Sequence, residues 1–238
     1  MSRSTPRRAL RPLWLGTVPY RDAWKLQHDL ARRRARDEMA DDVVLLLEHP
    51  PVYTMGRTGD ARHLGAGRES LEAAGAEYID VDRGGSVTFH GPGQLVAYPI
   101  VRLADLFPIP SDPSRGDVVR YVRALEEAVI NTARSAGVVV ERRPPYTGVW
   151  TGNRKLASIG VKLSSGVTMH GVAINVCTDL SWFSLVTACG IDGAEATSLV
   201  QLGGSLRTPS EAAPVLAAEV ARALAMPLGA ALDVLAAA

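Results

Sequence analysis

Three segments of the chain repeat apolar residues with the spacing of an α-helix. They run from Tyr20 to Glu38, from Asp117 to Gly137 and from about Pro209 to Ala225. The middle segment has the clearest pattern, because Asp117 suits a helix N-cap and Gly137 suits the position that stops a helix. A shorter helix is predicted from Ser70 to Gly75. Each segment therefore predicts a helix that buries one apolar face.

Other segments have the pattern of β-strands. Val43–Leu47 is a continuous apolar run that ends at a polar, proline-containing segment, which is typical of a buried strand. Shorter strands are predicted at Tyr78–Val81 and Val138–Val140. From Gly148 to Val176, β-type runs alternate with turn pairs, which are Gly152-Asn153, Ser165-Gly166 and His170-Gly171. The predicted fold class is α/β (α+β), a mixed β-sheet with flanking helices.

The length and the apolar content indicate a single domain. The chain has 238 residues, of which 47% are hydrophobic, so it can bury a sizeable core. Single domains often reach about 250 residues. Residues 1–11 are rich in Arg and Pro and predict a flexible arm, and residues 12–238 are predicted to form one domain.

Charge and cysteine content argue against several classes of protein. The 26 basic and 25 acidic residues leave a net charge of +1, without the basic excess typical of nucleic-acid binding. No apolar run approaches the ~18 residues of a membrane span, so no membrane association is expected. Two cysteines and no secretory signal favour free thiols in the cytoplasm. The histidines and cysteines lack the spacings of metal ligands, so no metal site is predicted.

The segment from Arg83 to Gln94 is the densest in glycines and polar side chains. A glycine-rich hairpin with a structural His90 would explain each glycine alone. A simple turn needs few polar side chains, however, so the segment as a whole favours a binding loop in which backbone N–H groups approach a ligand. It is not a phosphate loop, which would end in Gly-Lys-Ser or Gly-Lys-Thr.

Cys189 and Lys155 are the candidate reactive residues. Cys189 is flanked by small residues and followed by Gly190, which suits an accessible sulfur, although a lone cysteine is more often a small buried apolar residue. Cys177 lies in an apolar, strand-like run and fits the buried alternative better. Lys155 follows a turn and could lower the pKa of a thiol or accept a proton. A solvated turn lysine is the alternative.

Together these segments resemble the lipoyl(octanoyl) transferase family, the octanoyl-acyl-carrier-protein:protein N-octanoyltransferases of lipoate biosynthesis. Arg83–Tyr98 matches the family signature of Arg-Gly-Gly, Thr-aromatic-His, Gly-Gln and Tyr. Gly152–Gly160, His170–Asn175 and Cys189–Ile191 follow in the family order. The resemblance covers the chain from about Val43 to Leu199, and several motifs in order are more specific than any one of them.

The resemblance implies a biotin/lipoate protein ligase-like catalytic fold and a covalent acyl-enzyme. Cys189 matches the nucleophile that accepts the acyl group, and Lys155 matches the lysine that lowers its pKa and exchanges protons. Ala188 departs from the family, whose members often have Pro there. The residues expected to contact the acyl chain are Arg83, Gly84, Gly85, Ser86, Val87, Thr88, Phe89, His90, Ser158, Ile159, Gly160, Gly171, Val172 and Ala173.

The same resemblance implies the substrates. The donor is octanoyl-acyl carrier protein. The acceptors are lysine ε-amines on lipoyl domains of 2-oxoacid dehydrogenase E2 subunits and on the H protein of glycine cleavage. No cofactor is expected, because one thioester is exchanged for another and then for a more stable amide. Backbone N–H groups near Cys189 and in the Gly84-Gly85 loop are the candidate oxyanion donors.

Three other functions are compatible with parts of the pattern. An ATP-dependent lipoate or biotin ligase on the same fold would need no covalent cysteine. A cysteine hydrolase would pair Cys189 with His90 or His170 and release free acid. An acyl-binding module without catalysis would form no adduct, although the presence of both Cys189 and Lys155 argues against it.

Overall fold

The computed structural model describes residues 8–65, 67–186 and 193–232. In these ranges the strands are β1 (Leu10–Thr17), β2 (Asp42–Glu48), β3 (Val52–Met55), β4 (Glu77–Asp80), β5 (Val87–His90), β6 (Gln94–Ile100), β7 (Pro108–Ile109), β8 (Asp112–Gly116), β9 (Glu141–Arg143), β10 (Tyr146–Thr151), β11 (Arg154–Ser164), β12 (Val167–Asn175) and β13 (Glu195–Ala196). The α-helices are α1 (Tyr20–Ala35), α2 (Arg68–Ala73), α3 (Leu103–Leu106), α4 (Val118–Ser135) and α5 (Pro209–Ala223). Two 3₁₀ helices span Ala61–Leu64 and Leu180–Leu185.

The main sheet is mixed, as predicted. Its strand order is β1-β2-β6-β12-β11-β10-β9, and β13 pairs with β11. The pairs β1–β2 and β11–β13 are parallel, and the other pairs are antiparallel. A separate small sheet has the order β4-β3-β5. The fold class predicted from the sequence is confirmed.

Both faces of the main sheet are covered, which explains the continuous apolar run of β2. Successive side chains of a strand point to opposite faces. Accordingly, Val44 and Leu46 pack in the core that contains the buried faces of α4 and α5. Val43, Leu45 and Leu47 pack in a second core with residues of α1. None of the helices in the described ranges is long and apolar enough to cross a membrane.

The ends of α4 agree with the sequence signals. The Asp117 side chain accepts a hydrogen bond from the Arg120 N–H and caps the helix. Gly137 has φ +79°, and its N–H donates to the Arg134 carbonyl, while the Val138 N–H donates to the Ala133 carbonyl. This double closure is a Schellman motif, which needs the left-handed backbone that glycine supplies.

Two local predictions are wrong. Val138–Val140 is not a strand, since the first strand after α4 is Glu141–Arg143. Val138 closes the helix instead, and Val139 is 88% exposed. His170-Gly171 is not a turn, because both residues lie inside β12 and pair with Val161 and Gly160. His170 does have a positive φ of +55°, as residues in turns often do, but the strand continues through it.

The beginning of the chain differs in part from the prediction. Strand β1 begins at Leu10, so residues 10 and 11 of the predicted arm pair with Asp42 and Val43 of β2. Leu10 is fully buried. The division into an arm and one domain otherwise stays a prediction.

Candidate active site

A cavity of about 370 Å³ opens beside the middle of the main sheet. Strands β11 and β12 form one wall, where the antiparallel register pairs Ser158 with Ala173 and Gly160 with Gly171. The small sheet contributes another wall through β5. The lining residues are Tyr20, Thr58, His63, Arg83, Gly85, Ser86, Val87, Thr88, His90, Val96, Tyr98, Pro145, Tyr146, Thr147, Lys155, Ser158, Ile159, Gly160, His170, Gly171, Val172 and Ala173.

Most of the site residues predicted from the sequence line this cavity. Lys155 lines it together with the three segments that were expected to contact the acyl chain. The nominated residues that line the cavity are Arg83, Gly85, Ser86, Val87, Thr88, His90, Lys155, Ser158, Ile159, Gly160, Gly171, Val172 and Ala173. That they bind an acyl chain stays a prediction. Cys189 lies outside the described residues.

Two nominated residues do not line the cavity. Phe89 points to the other face of the small sheet, where its ring stacks on Trp182 at a centroid distance of 5.1 Å. Its neighbours Thr88 and His90 face the cavity because side chains alternate along a strand. Gly84 donates its N–H to the Val161 carbonyl at 3.0 Å. This bond removes the Gly84 N–H from the candidate oxyanion donors.

Lys155 is buried at the start of β11. Only 8% of the residue is exposed, so the expectation of a solvated turn lysine does not apply. Its Nζ lies 5.1 Å from the centroid of the Trp150 ring, in the position of a cation–π contact. Gly148 makes room for it, since a Cβ at Gly148 would lie 2.7 Å from Lys155 Cε. The site thus holds an amine in a confined, partly aromatic pocket.

A buried carboxylate fixes the backbone beside Lys155. Glu126 of α4 is fully buried and accepts a hydrogen bond from the Gly148 N–H at 3.1 Å. It also pairs with Arg123 at 2.6 Å and Arg142 at 3.0 Å. Glu126 therefore ties α4 to the glycine that shapes the lysine pocket.

Arg83 joins the small sheet to the wall of β11. Its Nη2 donates to both the carbonyl and the hydroxyl of Thr54 at 2.7 Å, and its Nη1 donates to the Gly84 carbonyl at 3.0 Å. Gly160 lies so close that a Cβ there would be 3.1 Å from Arg83 Cδ. A side chain at position 160 would push against this guanidinium.

Two buried histidines, His170 in the cavity wall and His49 behind it against Tyr98, have lowered pKa values. Burial lowers the pKa of His49 to about 4, although its hydrogen bond to the Val18 carbonyl opposes this change. Burial also lowers the pKa of His170, whose Nε2 lies 3.0 Å from Asp82. The hydrogen bond with His170 is the largest of the interactions that hold the pKa of Asp82 well below its usual range. Asp82 is therefore an anion at neutral pH, and His49 and His170 are uncharged.

Several lining residues carried no usable sequence signal. Tyr20 comes from α1 and reaches the cavity only through the tertiary fold. Tyr98 of β6 ends the signature segment but was not predicted as a site residue, and it also lines the cavity. His63 also lines the cavity, and its Nδ1 lies 2.7 Å from Oγ of Ser86, which the sequence did predict as a site residue. Pro145–Thr147 reaches the cavity from the start of β10. Side chains so distant in sequence cannot be brought together by periodicity alone.

The prediction for Cys177 is wrong. It was expected to be a small buried residue of an apolar strand, but it is an exposed free cysteine. Strand β12 ends at Asn175, and the N–H groups of Val176 and Cys177 both donate to the Gly93 carbonyl. Among the described residues, no group of three His, Cys, Asp or Glu side chains could hold a metal ion.

The fold and the cavity together define the class of protein: the chain has the catalytic fold of the biotin/lipoate protein ligases. A bipartite lipoate protein ligase from Thermoplasma acidophilum has a similar structure, with a TM-score of 0.69 and 16% sequence identity. The similarity covers 95% of this chain and 88% of that one.

Sequence comparison then assigns the family. Residues 19–221 match the lipoyl protein ligase A/B catalytic domain, and the chain belongs to this family. An octanoyltransferase of Rubrobacter xylanophilus is 52% identical over 186 residues, which are 77% of this chain and 79% of that protein. An octanoyltransferase of Chloroflexus aurantiacus is 44% identical over 222 residues, which are 92% and 96% of the two chains. The chain is an acyltransferase, as the sequence predicted.

Proposed function

We propose that the protein transfers an octanoyl or lipoyl group from acyl carrier protein to lysine ε-amines on lipoyl domains, with Cys189 as the covalent nucleophile. The observation that carries the proposal is Lys155, buried at the end of a cavity whose walls are the segments that resemble octanoyltransferases. The relatives at 52% and 44% identity, both named octanoyltransferase, support the choice of acyl group.

In the first half-reaction, the Cys189 thiolate attacks the thioester carbon of octanoyl-acyl carrier protein. A new C–S bond forms to Cys189, and the bond to the carrier's sulfur breaks. The leaving thiolate takes a proton from the Lys155 ammonium, which becomes a neutral amine. One thioester replaces another, so the step needs no ATP.

In the second half-reaction, the neutral ε-amine of the acceptor lysine attacks the acyl-enzyme. The C–N bond forms, and the C–S bond to Cys189 breaks with its electron pair on sulfur. Lys155 takes one proton from the amine, which restores the ammonium and the thiolate. The reaction runs forward because the product amide is more stable than the thioester.

The walls of the cavity suit an alkyl chain. Ile159, Val172 and Ala173 supply apolar surface, and Gly160 and Gly171 add no side chain to this wall. A Cβ at Gly171 would lie 2.2 Å from the Ala97 carbonyl oxygen. The site thus combines an apolar stretch of wall with many polar side chains that could orient a substrate.

The acceptors that we propose are lipoyl domains of 2-oxoacid dehydrogenase E2 subunits and the H protein of glycine cleavage. The bipartite ligase from Thermoplasma acidophilum, which shares the fold, was studied with its E2 lipoyl domain. We place the reaction in the cytoplasm, whose reducing conditions keep the Cys189 thiol free.

Intact-mass spectrometry after mixing with octanoyl-acyl carrier protein tests the proposal. We expect an octanoyl increment on the wild type, none on Cys189→Ser, and loss of the increment when a lipoyl domain is added. Cys177→Ser is the matched control and should still acquire the increment. If a folded, reduced wild type stays unmodified but transfers free octanoate with ATP, the protein is a ligase and the proposal is wrong.

A further inference from the structure

A chain of hydrogen bonds runs from the backbone of Lys155 to the ring of His90. The Thr197 N–H donates to the Lys155 carbonyl at 3.0 Å, and Asn175 Nδ2 donates to the Thr197 carbonyl at 2.9 Å. Gln94 Nε2 then donates to Asn175 Oδ1 at 2.9 Å. Finally, His90 Nδ1 lies 2.7 Å from Gln94 Oε1. His90 is therefore linked to the backbone of Lys155 through Gln94, Asn175 and Thr197, and both residues line the cavity.

The polarity of this chain is fixed at every link. A backbone carbonyl can only accept, so the Thr197 oxygen requires the amide nitrogen of Asn175 to face it. Asn175 Oδ1 must then face the Gln94 amide nitrogen. That nitrogen also donates to the Phe89 carbonyl at 3.1 Å, which independently fixes the Gln94 amide. Gln94 presents its oxygen to His90, so His90 Nδ1 carries the hydrogen.

The other ring nitrogen of His90 is a bare acceptor. Burial holds the pKa of His90 well below its ordinary value, so the ring is neutral and has one N–H only. Because that hydrogen is on Nδ1, Nε2 has a lone pair. The ring lines the cavity, and Nε2 has no hydrogen-bond partner within the described part of the chain. His90 thus offers the cavity an acceptor and no donor.

We propose that His90 Nε2 accepts a hydrogen bond from the attacking ε-amine of the acceptor lysine and orients its lone pair toward the thioester carbon. This inference rests on the proposed function. It adds a polar role to the predicted contact of His90 with the acyl chain, because an alkyl chain and a thioester have no N–H or O–H to donate to Nε2. A neutral primary amine has two N–H groups, one for His90 and one for transfer to Lys155.

The charges around the site favour the neutral form of that amine. Arg83 lines the cavity and is a permanent cation, so an incoming ammonium would be repelled, whereas Lys155 is already a neutral amine once the acyl-enzyme has formed. His90 itself takes no proton. It binds one N–H throughout the attack, while the second proton moves from the amine nitrogen to Lys155 and the sulfur of Cys189 leaves with the C–S electron pair.

The decisive experiment separates the two half-reactions in His90→Phe. Phenylalanine keeps a planar ring and removes the Nε2 acceptor. Rapid mixing with mass spectrometry measures acylation by octanoyl-acyl carrier protein and then deacylation by a lipoyl domain. We expect acylation at the wild-type rate and deacylation slowed about 10-fold, the value of one lost hydrogen bond. Equal slowing of both steps, or unchanged deacylation, would overturn the inference.

A matched variant and a measurement on the wild type complete the test. His49→Phe removes a buried imidazole that does not line the cavity, so it should lower stability without changing the ratio of the two rates. Long-range ¹H–¹⁵N NMR of the wild type should show hydrogen on His90 Nδ1 and none on Nε2, and the opposite tautomer would refute the inference even if His90→Phe does not fold. A wild type that forms no acyl-enzyme would refute the proposed function, and the inference with it.

Discussion

The substitution Gly148→Ala should strain the backbone and also displace the side chain of Lys155. Gly148 has φ +121°, where an L side chain is strained. A Cβ there would lie 2.6 Å from the Ala157 carbonyl oxygen and 2.7 Å from Lys155 Cε. The carbonyl belongs to the paired strand β11 and cannot move freely. The lysine side chain must therefore move, and carbon atoms normally stay about 3.5–4.0 Å apart, so the displacement is about 1 Å.

The magnitudes follow from these two contacts. Backbone strain of about 1–3 kcal/mol and overpacking of about 1–3 kcal/mol should together lower the free energy of unfolding by about 2–6 kcal/mol. A displacement of about 1 Å in a reacting group can cost about 100-fold in rate. We therefore expect acyl-enzyme formation to slow by about 10- to 100-fold, measured by intact mass after rapid mixing with octanoyl-acyl carrier protein.

Gly152→Ala is the matched control. Gly152 also has positive φ, +58°, and lies in the nearby turn between β10 and β11, but a Cβ there meets nothing within 4 Å. Its free energy of unfolding should fall by only about 1–2 kcal/mol, the cost of a left-handed backbone at alanine, and its acylation rate should not change. Urea unfolding measures both variants. If Gly148→Ala loses no more stability than Gly152→Ala and acylates normally, Gly148 does not shape the Lys155 pocket.

Three further predictions concern the surroundings of the site. Glu126→Ala should lower the free energy of unfolding by about 3 kcal/mol in urea titrations, because it leaves Arg142 and the Gly148 N–H without their buried acceptor, whereas Glu126→Gln should lose less. His49 has its pKa lowered to about 4 from an ordinary value near 6.5, so the unfolded chain binds one more proton between these values. Stability should therefore decline as the pH falls from about 6.5 to 4, and urea titrations of His49→Gln should show a shallower decline; equal slopes would contradict the assignment. Ala173→Leu should shorten the acyl slot and reduce the preference for octanoyl over butanoyl donors by at least about 10-fold in kcat/KM, and an unchanged preference would place the chain elsewhere.

The sequence predicted correctly those helices and strands whose ends are determined by residues at the ends themselves, such as capping residues. Asp117 and Gly137 bound α4 because an N-cap side chain and a left-handed glycine act within one turn. Val138–Val140 misled because three β-branched residues favour a strand only where a partner strand is available. Here the preceding helix closes onto Val138.

The candidate site could be predicted in part for similar reasons. The motif residues of β11 and β12 line the cavity because a tight turn fixes the register between consecutive strands. Because side chains alternate along a strand, the sequence could have placed Phe89 on the face opposite Thr88 and His90, and so outside the predicted site. Tyr20 could not be found, since its place depends on how α1 packs against the sheet.

Several ionisable groups near the cavity are neutral, and this distribution of charge suits the proposed reaction. His170 is uncharged, and the negative charge of Asp82 is balanced by an ion pair with Lys162. Of the described residues that line the cavity, none is acidic, Arg83 is a permanent cation, and Lys155 is the ammonium of the proposed first half-reaction. In a confined site of low dielectric constant, unopposed positive charge stabilises anions strongly. The proposed reaction passes through a thiolate and a tetrahedral oxyanion, both negative, whereas its amine nucleophile must be neutral. Charged histidines would add positive charge but would also lose the acceptor that His90 offers to the amine. Neutral rings beside the fixed charge of Arg83, and beside a Lys155 that gives up and regains its proton, therefore serve both half-reactions, which a uniformly cationic cavity could not do.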